Sequence, residues 1–419
     1  MDYKDTLEYL YNSAPMFQQV GAGAYKEGLE TTRALDRHFG HPHRLYRTIH
    51  VAGTNGKGSC SHTLAAVLQC AGYRVGLYTS PHLVDFRERI RVNGVPVPQD
   101  YVVRFVEEER AFFEPLHPSF FELTTALALK YFADAQVDVA VIEVGLGGRL
   151  DCTNIIRPDV SLVTNISLDH TQFLGNTLAQ IAGEKAGIFK EGVPAVVGET
   201  TPETRPVFEQ KARDARVASL RFAEDEDHEA DYPCLEYELK GLYQEKNRRT
   251  LLTVLPILRE AGYRFTEADV RKGFAHVTEL TGLMGRWQRL REWPTVVCDT
   301  GHNVEGMAYL ARQLRAQHCR RLRIVLGMVN DKDVRGVLAL LPQEADYYYA
   351  QASVRRALPA TEMARLGHEA GLRGSAWLDV PAAVRAALKE SLPEDFIFVG
   401  GSTFVVADLL ANRDALNLY

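Results

Sequence analysis

Apolar runs rich in β-branched residues recur along this chain at 46–52, 74–80 (RVGLYTS), 137–145 (VDVAVIEVG), 159–166 (DVSLVTNI) and 193–198 (VPAVVG). Segments with helical patterning separate them, including SFFELTTALALKYFADA at 119–135 and TLAQIAGEKAGIFK at 177–190. A strand that is apolar on both faces must be covered on both, and crossover helices between parallel strands supply that cover. The fold class expected is therefore α/β with a mainly parallel sheet flanked by helices. A second series follows at 295–299 (TVVCD), 322–328 (LRIVLGM), 346–352 (DYYYAQA) and 395–401 (DFIFVGG). Its helices are equally regular: over 380–390, Val380, Ala383, Val384, Ala387 and Leu388 share one face. A length of 419 residues exceeds what one core organises, so two domains are expected, 1–283 and 284–419. The turn-rich stretch ELTGLMGRWQ at 279–288 is the expected hinge.

Charge and cysteine usage exclude several classes of function. A formal net charge of −6 speaks against a nucleic-acid partner, which would need a basic surface, but leaves room for a local cationic pocket and an anionic small substrate. No apolar run is long enough to span a bilayer, so no membrane partner is expected. The start, MDYKDTLEYLYNSAPMF, is acidic and amphipathic, unlike a secretory signal. The six cysteines, at 60, 70, 152, 234, 298 and 319, form no CxxC pair and no metal-like spacing with His. They read as reduced core residues of a cytoplasmic protein without zinc. The acidic stretch AEDEDHEAD at 223–231 reads as a solvated loop.

The chemistry gathers where strands end. Between the first strand and a helix lies Gly53-Thr54-Asn55-Gly56-Lys57-Gly58-Ser59. A Gly-rich turn leading into a helix presents backbone N–H groups and a partial positive charge to phosphate oxygens. Lys57 would add a charge, and Ser59 or Thr54 a hydroxyl; the alternative is an ordinary tight turn. Ser80 ends the next strand, followed by Arg87, Arg89 and Arg91, which read either as the exposed face of an edge hairpin or as a guide for an anion. Glu143 lies inside an apolar strand and must be paired or metal-bound, with Arg149 or a lysine as candidate partner and Mg²⁺ the alternative. His170 follows another strand at the same sheet edge, whereas Lys185 sits in a helix where a solvent-facing side chain is the ordinary expectation. In the second series Asp299, His302 and Asn303, then Asp331, Lys332 and Asp333, then Ser402 all stand between a strand and a helix. Each could equally be an N-cap.

Taken in order, GTNGKGS, TSPHL, FELTT, EVGLGGRLDCTN, SLDHT, EKAGIFK, MGRWQ, DTGHN, GMVNDKD and GGS resemble the folylpolyglutamate synthase/dihydrofolate synthase family, within the Mur-ligase-like ATP-dependent amide ligases. The match runs from about His50 to Ser402. The Lys-Gly-Ser ending fits the folate branch, since the peptidoglycan ligases usually place Thr directly after Lys. The resemblance implies an N-terminal P-loop domain with the folate site and a smaller C-terminal Rossmann-like α/β domain on the glutamate side. It implies ATP, Mg²⁺ at two sites, and small-molecule substrates: a folate or dihydropteroate, L-glutamate and ATP. A monomer is also implied. Lys57, Lys185 and His302 become the catalytic candidates. Asn55, Gly56, Lys57, Gly58, Ser59, Gln244, Asn247, Arg286 and Asp299 match ATP positions. Ser80, Glu143 and His170 match metal ligands, joined by Lys185 if it is carbamylated to N6-carboxylysine. Phe121, Glu122, Thr124, Thr125, Leu150, Asp151 and Cys152 match the pterin site, and Asp299, His302 and Ser402 the glutamate side. Three positions depart from the family pattern: Met284 for a Pro in the hinge, DTGHN for Asp-Gly-Ala-His-Asn, and Cys152 for an Ala. Rival readings are a Mur-type ligase for another acceptor and a nucleotide-binding regulator without catalysis.

Overall fold

The strand that leads into the phosphate loop is buried along five of its six residues, as a run without polar alternation requires. It is β1 (Arg47–Ala52) of a computed structural model that describes residues 1–13 and 28–418. Of the amphipathic start read over 1–17, residues 14–17 lie outside the described residues. Backbone contacts divide the chain into two units. One comprises Met1–His82, Phe86–Glu238 and Gln244–Leu283, the other Leu83–Asp85, Leu239–Tyr243 and Met284–Tyr419.

In the first unit β1 is followed by β2 (Val75–Tyr78), β3 (Ile90–Val92), β4 (Val95–Pro96), β5 (Val139–Glu143), β6 (Val160–Val163), β7 (Ala195–Val197) and β8 (Leu220–Phe222). They form one sheet in the order β4-β3-β2-β5-β1-β6-β7-β8. All pairings are parallel except the two that append β3 and β4 at one margin. Glu143, the last residue of β5, pairs with Val51 of β1. The chain builds outward from β1 to β2, then returns through β5 and crosses to β6 on the other side. The carboxyl end of β1 is thus a switch point of strand order, where open α/β sheets bind ligands.

The helix Lys57–Cys70 is buried continuously from Gly58 to Leu68 and shows no solvent-exposed face over that length. The sheet covers one side of it and the helix Glu267–Ala275 another. Gly273 makes that second contact possible, because a Cβ there would stand 2.6 Å from the Val67 Cα. The helix Phe120–Asp134 opens on a capping box: the Ser119 hydroxyl accepts from the Glu122 N–H, and the Glu122 carboxylate accepts from the Ser119 N–H at 2.7 Å.

The second unit holds β9 (Gln288–Arg291), β10 (Thr295–Asp299), β11 (Leu322–Leu326), β12 (Asp346–Ala350), β13 (Gly374–Trp377) and β14 (Phe396–Gly400), ordered β13-β12-β11-β14-β10-β9. Only β9 is antiparallel to its neighbour. Its two faces carry separate cores. Met307, Leu310 and Leu314 pack with Tyr347, Tyr349 and Phe398. Val384, Ala387, Val405 and Leu409 pack with Tyr348 and Val399. The face read over 380–390 is buried at Val380, Ala383, Val384 and Ala387.

Two sequence readings change and a third gains detail. Arg89 and Arg91 are 3% and 7% exposed, so the hairpin they belong to does not turn them to solvent. The stretch 223–231 is solvent-facing as read, with Glu224, Asp225, Asp227, Ala230 and Asp231 exposed, and the added detail is two 3₁₀ turns, Ala223–Asp225 and Glu229–Asp231, with His228 bonding Glu226 and Asp231. All six cysteines are free thiols, but only Cys60 and Cys298 are core residues, and Cys234 is exposed. Among the described residues no helix is long and apolar enough to cross a membrane.

Gly273→Val should force the two helices apart and lower stability by about 1–3 kcal/mol, the usual cost of overpacking, with urea unfolding as the measurement. An unchanged midpoint would show that the contact yields freely.

Candidate functional site

The loop after β1 is shaped by what surrounds it. Gly53 has φ +144° and Gly56 φ +85°, both in the region glycine alone enters cheaply. A Cβ on Gly53 would fall on the Thr164 side chain, and one on Gly56 on the Asn247 amide. The segment after β6 holds the loop from the other side. Asn165 Oδ1 accepts from the Asn55 N–H at 2.8 Å, Thr164 Oγ1 donates to the Asn55 carbonyl at 2.5 Å, and the Ser167 N–H donates to Thr54 Oγ1 at 3.1 Å. These three were not singled out from sequence; the available signal was a run of polar residues directly after an apolar strand.

Two lysines converge on this loop. Lys57 Nζ donates to the carbonyls of Gly53 and Thr54 at 3.0 and 3.1 Å. Lys185 Nζ donates to the same Gly53 carbonyl at 3.0 Å. Lys185 closes the helix Leu178–Lys185 and is 5% exposed, against the solvent-facing expectation. Burial, and then the Lys57 charge, push its pKa down to about 7, with Asp169 and Asp151 opposing. Ser59 is fully buried and accepts from Gln244 Nε2 at 3.0 Å, while Gln244 Oε1 accepts from Asn247 Nδ2 at 2.8 Å. Residues as far apart as 53, 59, 164, 185, 244 and 247 therefore meet around the loop and the first turn of the helix it enters.

Glu143 is 3% exposed, and its Oε2 accepts from the Ser80 N–H at 3.0 Å. Arg149 does not neutralise it; that guanidinium pairs with Glu184 at 3.0 Å. His170 sits in the left-handed region at φ 50°, its N–H donating to Asp169 Oδ1 at 2.8 Å. Ser80, Glu143 and His170 offer a hydroxyl, a carboxylate and an imidazole. Among the described residues no group of three or more His, Cys, Asp or Glu is placed to hold a metal. By donor type alone, a hydroxyl, a carboxylate and an imidazole suit a cation that keeps water and phosphate oxygens, as Mg²⁺ or Mn²⁺ does.

The pterin candidates form a neighbouring group. The Phe121 ring stacks on Tyr78 at 5.9 Å and fills the space a Cβ on Gly145 would need. Thr124 Oγ1 donates to the Phe120 carbonyl at 2.7 Å, and the fully buried Thr125 bonds the Tyr78 hydroxyl at 3.1 Å. Glu122 is spent on the capping box. Asp151 caps the 3₁₀ turn Cys152–Ile155 and accepts from the Leu146 and Thr153 N–H groups at 2.8 and 3.0 Å. Burial raises its pKa, and burial holds the Cys152 thiol well above its ordinary value. Leu150 is half-buried beside them.

In the second unit Asp299 ends β10 and is 2% exposed. Its Oδ2 accepts from the Tyr243 hydroxyl at 2.6 Å and the Trp287 N–H at 2.7 Å, and its Oδ1 from the Gly301 N–H at 2.8 Å. Burial raises its pKa, while Tyr243 and Arg286 pull it down. Arg286 bonds the Thr300 hydroxyl. His302 Nδ1 lies 3.0 Å from the Thr300 carbonyl, an acceptor, so that nitrogen carries the proton. Asn303, Asp333 and Ser402 are all N-caps, accepting from the N–H groups of Gly306, Gly336 and, for Ser402, Phe404 and Val405. Asp331 pairs with Arg356 at 2.6 Å.

Comparison with known proteins decides the family. Residues 51–255 match the Mur ligase middle domain and residues 285–403 the Mur ligase glutamate ligase domain. A dihydrofolate synthase/folylpolyglutamate synthase of Escherichia coli is 37% identical over 87% of this chain and 86% of its own length. The chain belongs to the folylpolyglutamate synthase/dihydrofolate synthase family. It spans half the length of a relative from Haloferax volcanii, named "Probable bifunctional folylpolyglutamate synthase/dihydropteroate synthase", to which it is 36% identical over 97% of this chain. The solved structure of Escherichia coli FolC in complex with DHPP and ADP is similar across 100% of this chain and 99% of its own, with a TM-score of 0.86 and 34% identity. A bifunctional folylpolyglutamate synthase/dihydrofolate synthase with Mn, AMPPNP and L-glutamate bound is 30% identical with a TM-score of 0.81, covering 100% of this chain and 98% of its own. The fold class expected from sequence, two α/β sheets with the first mainly parallel, is the one these structures share.

Lys185 gives a test in stability. The native side chain releases its proton near pH 7, the unfolded one only near its ordinary value of about 10.4. Between those values the unfolded chain binds more protons, so this group's contribution to stability rises with pH, and below pH 7 its burial penalty is fully present. Lys185→Met should therefore stabilise more at pH 6 than at pH 9, by at most about 1.4 kcal/mol per pH unit crossed, in paired urea titrations. Equal gains at both pH values would rule out a depressed native pKa.

Proposed function

We propose that this protein joins L-glutamate to a folate in an ATP- and divalent-metal-dependent reaction that releases ADP and phosphate, and that it also converts dihydropteroate to dihydrofolate. The observation that carries this reading is the pair of lysines on the Gly53 carbonyl, just past the end of β1, whose neighbour β5 ends in the buried carboxylate of Glu143. Cations and backbone N–H groups are concentrated there in a partly dehydrated loop, which suits transfer of a phosphoryl group between two anions.

In the proposed reaction the acceptor carboxylate attacks the γ-phosphorus of ATP, the bond to the β-phosphate oxygen breaks, and an acyl phosphate and ADP form. The uncharged amine of glutamate then attacks the acyl carbon. The tetrahedral adduct loses its ammonium proton and expels phosphate, leaving the amide. Asn55, Gly56, Lys57, Gly58 and Ser59 hold the phosphates, with Gln244, Asn247, Arg286 and Asp299 assigned to the rest of the nucleotide. Ser80, Glu143 and His170 hold Mg²⁺, which when bound neutralises phosphate charge. Phe121, Glu122, Thr124, Thr125, Leu150, Asp151 and Cys152 form the pterin pocket. Because Thr124 and Thr125 spend their hydroxyls internally, their part is to shape its wall. Asp299, His302 and Ser402 receive glutamate. The imidazole of His302, with its proton on Nδ1, leaves Nε2 as the basic nitrogen for the ammonium proton. Ser402 Oγ accepts from the helix and keeps a hydroxyl proton to donate to a carboxylate.

The finer proposals are two cation sites and a carbamate on Lys185. An amine reacts with CO₂ only when uncharged, forming the N–C bond and releasing one proton. A pKa of about 7 supplies that form at neutral pH, where an ordinary lysine is almost wholly charged. The same reading takes the protein as a cytoplasmic monomer without nucleic-acid or membrane partners, in keeping with its net charge of −6.

ADP release should require both L-glutamate and a pterin acceptor, with dihydropteroate and tetrahydrofolate active and a UDP-muramoyl acceptor inert. Turnover on the UDP sugar alone would point to a Mur-type ligase, and ATP binding without acceptor-stimulated release to a regulator. Lys57→Ala should lower kcat by at least about a hundredfold. For the carbamate, protein equilibrated with ¹³C-bicarbonate should show a carbamate carbonyl resonance that is stronger at pH 8 than at pH 6 and missing in Lys185→Met. An identical spectrum from the two proteins would remove the modification from the scheme.

A further inference from the structure

His50 lies within β1, three residues before the phosphate loop begins, and is fully buried. Its Nε2 stands 2.8 Å from Thr153 Oγ1, and Thr153 Oγ1 stands 2.5 Å from Asp151 Oδ1. Thr153 is itself fully buried. The direction of the chain follows from chemistry. A carboxylate can only accept, so the Thr153 hydroxyl proton points at Asp151. The Thr153 oxygen must then accept from His50, which places the imidazole proton on Nε2. His50 Nδ1 is buried and has no hydrogen-bond partner among the described residues, so a second proton there would be left without an acceptor. Burial pushes the His50 pKa down to about 3, with Lys190 adding to the effect, so the ring stays neutral and the tautomer is fixed at any physiological pH.

We infer that His50 is a positioning residue for the pterin acceptor, holding the Asp151 carboxylate in place through the Thr153 hydroxyl. The inference rests on the proposed role of Asp151 in the pterin pocket. The Leu146 N–H grips Asp151 Oδ2, while Oδ1 takes both the Thr153 N–H and the Thr153 hydroxyl that the relay orients. A neutral donor at the end of the relay suits the task. It orders the hydroxyl without placing a positive charge beside the carboxylate, which keeps the full negative charge for N–H donors of a pterin.

The test compares steady-state kinetics with tetrahydrofolate as acceptor across variants. Loss of the donor in His50→Leu should raise the acceptor KM about tenfold, the scale of one buried hydrogen bond, while the KM values for ATP and glutamate and kcat change less than about twofold. His50→Gln, which keeps an N–H donor of similar reach, should restore most of the loss. Thr153→Val should reproduce the acceptor effect, and the double variant His50→Leu/Thr153→Val should be no worse than Thr153→Val alone, because both act through one relay. A general loss of packing would instead move all three KM values together or lower kcat, and that outcome overturns the inference. So does additivity of the two substitutions, or failure of His50→Gln to rescue. Should His50→Leu not fold, Thr153→Val against Thr153→Ser makes the same comparison, with the hydroxyl of Ser expected to preserve the acceptor KM. Asp151→Asn separates this idea from the reading beneath it. If that change raises the acceptor KM and the His50 variants do not, only the relay fails; if it leaves the acceptor KM unchanged, the pterin role of Asp151 and the relay fail together.

Discussion

One backbone oxygen, that of Gly53, accepts from two lysine ammonium groups at 3.0 Å each. Burial disfavours the charge on Lys185 and the neighbouring Lys57 charge adds to the cost, which is relieved either by an anion or by loss of a proton. The depressed pKa of Lys185 is the second route, and a bound phosphate would be the first. The glycines at positions 53 and 56 let the loop take positive φ and pack directly against Thr164 and Asn247, which leaves the Gly53 carbonyl where both lysines reach it. The segment Thr164–Ser167 and the pair Gln244–Asn247 then serve as the mould that keeps the loop open.

Much of this was legible in the sequence. Strands apolar on both faces announce themselves because nothing but a covered parallel sheet accepts them, and β1, β5, β6, β10, β11, β12 and β14 fall within the expected segments. Glu143 could be read as exceptional, since a carboxylate inside such a run has to be accounted for. Other residues carry no such mark. Lys185 and a surface lysine have the same helical spacing, and only tertiary packing buries one of them. Arg89 and Arg91 alternate as an exposed hairpin face would, but Arg89 donates to His82 Nδ1 at 2.8 Å and lies over the Phe120 ring, while Arg91 donates to the Gly94 carbonyl. His50 is invisible for a related reason: within an apolar strand a single imidazole looks like any neutral filler, and its partner lies 103 residues away.

The ends of helices set a different limit. Asn303, Asp333 and Ser402 were attractive as ligand residues because they stand where strands meet helices, and all three turn out to cap the helices they precede. The two uses compete for the same residue types, since a short side chain with an acceptor oxygen satisfies an orphan N–H as readily as it meets a substrate. Sequence position alone does not separate them. What distinguishes Ser402 is that its hydroxyl retains a proton after capping, whereas the Asp333 carboxylate has none to offer.

The eight-stranded sheet ends narrowly on both sides. Its outermost members are β4, two residues long and finishing in Pro96, and β8, three residues long with Arg221 at its middle. A proline contributes no N–H, and three residues offer few groups to a passing strand. The wide apolar interior of this sheet is therefore poorly accessible to other chains along its hydrogen-bonding direction. A protein whose central strands are as continuously hydrophobic as VAVIE and VSLV is at risk of sticking to its own copies while it folds. The clipped margins are where this chain limits that risk without giving up any of the interior that its ligands depend on.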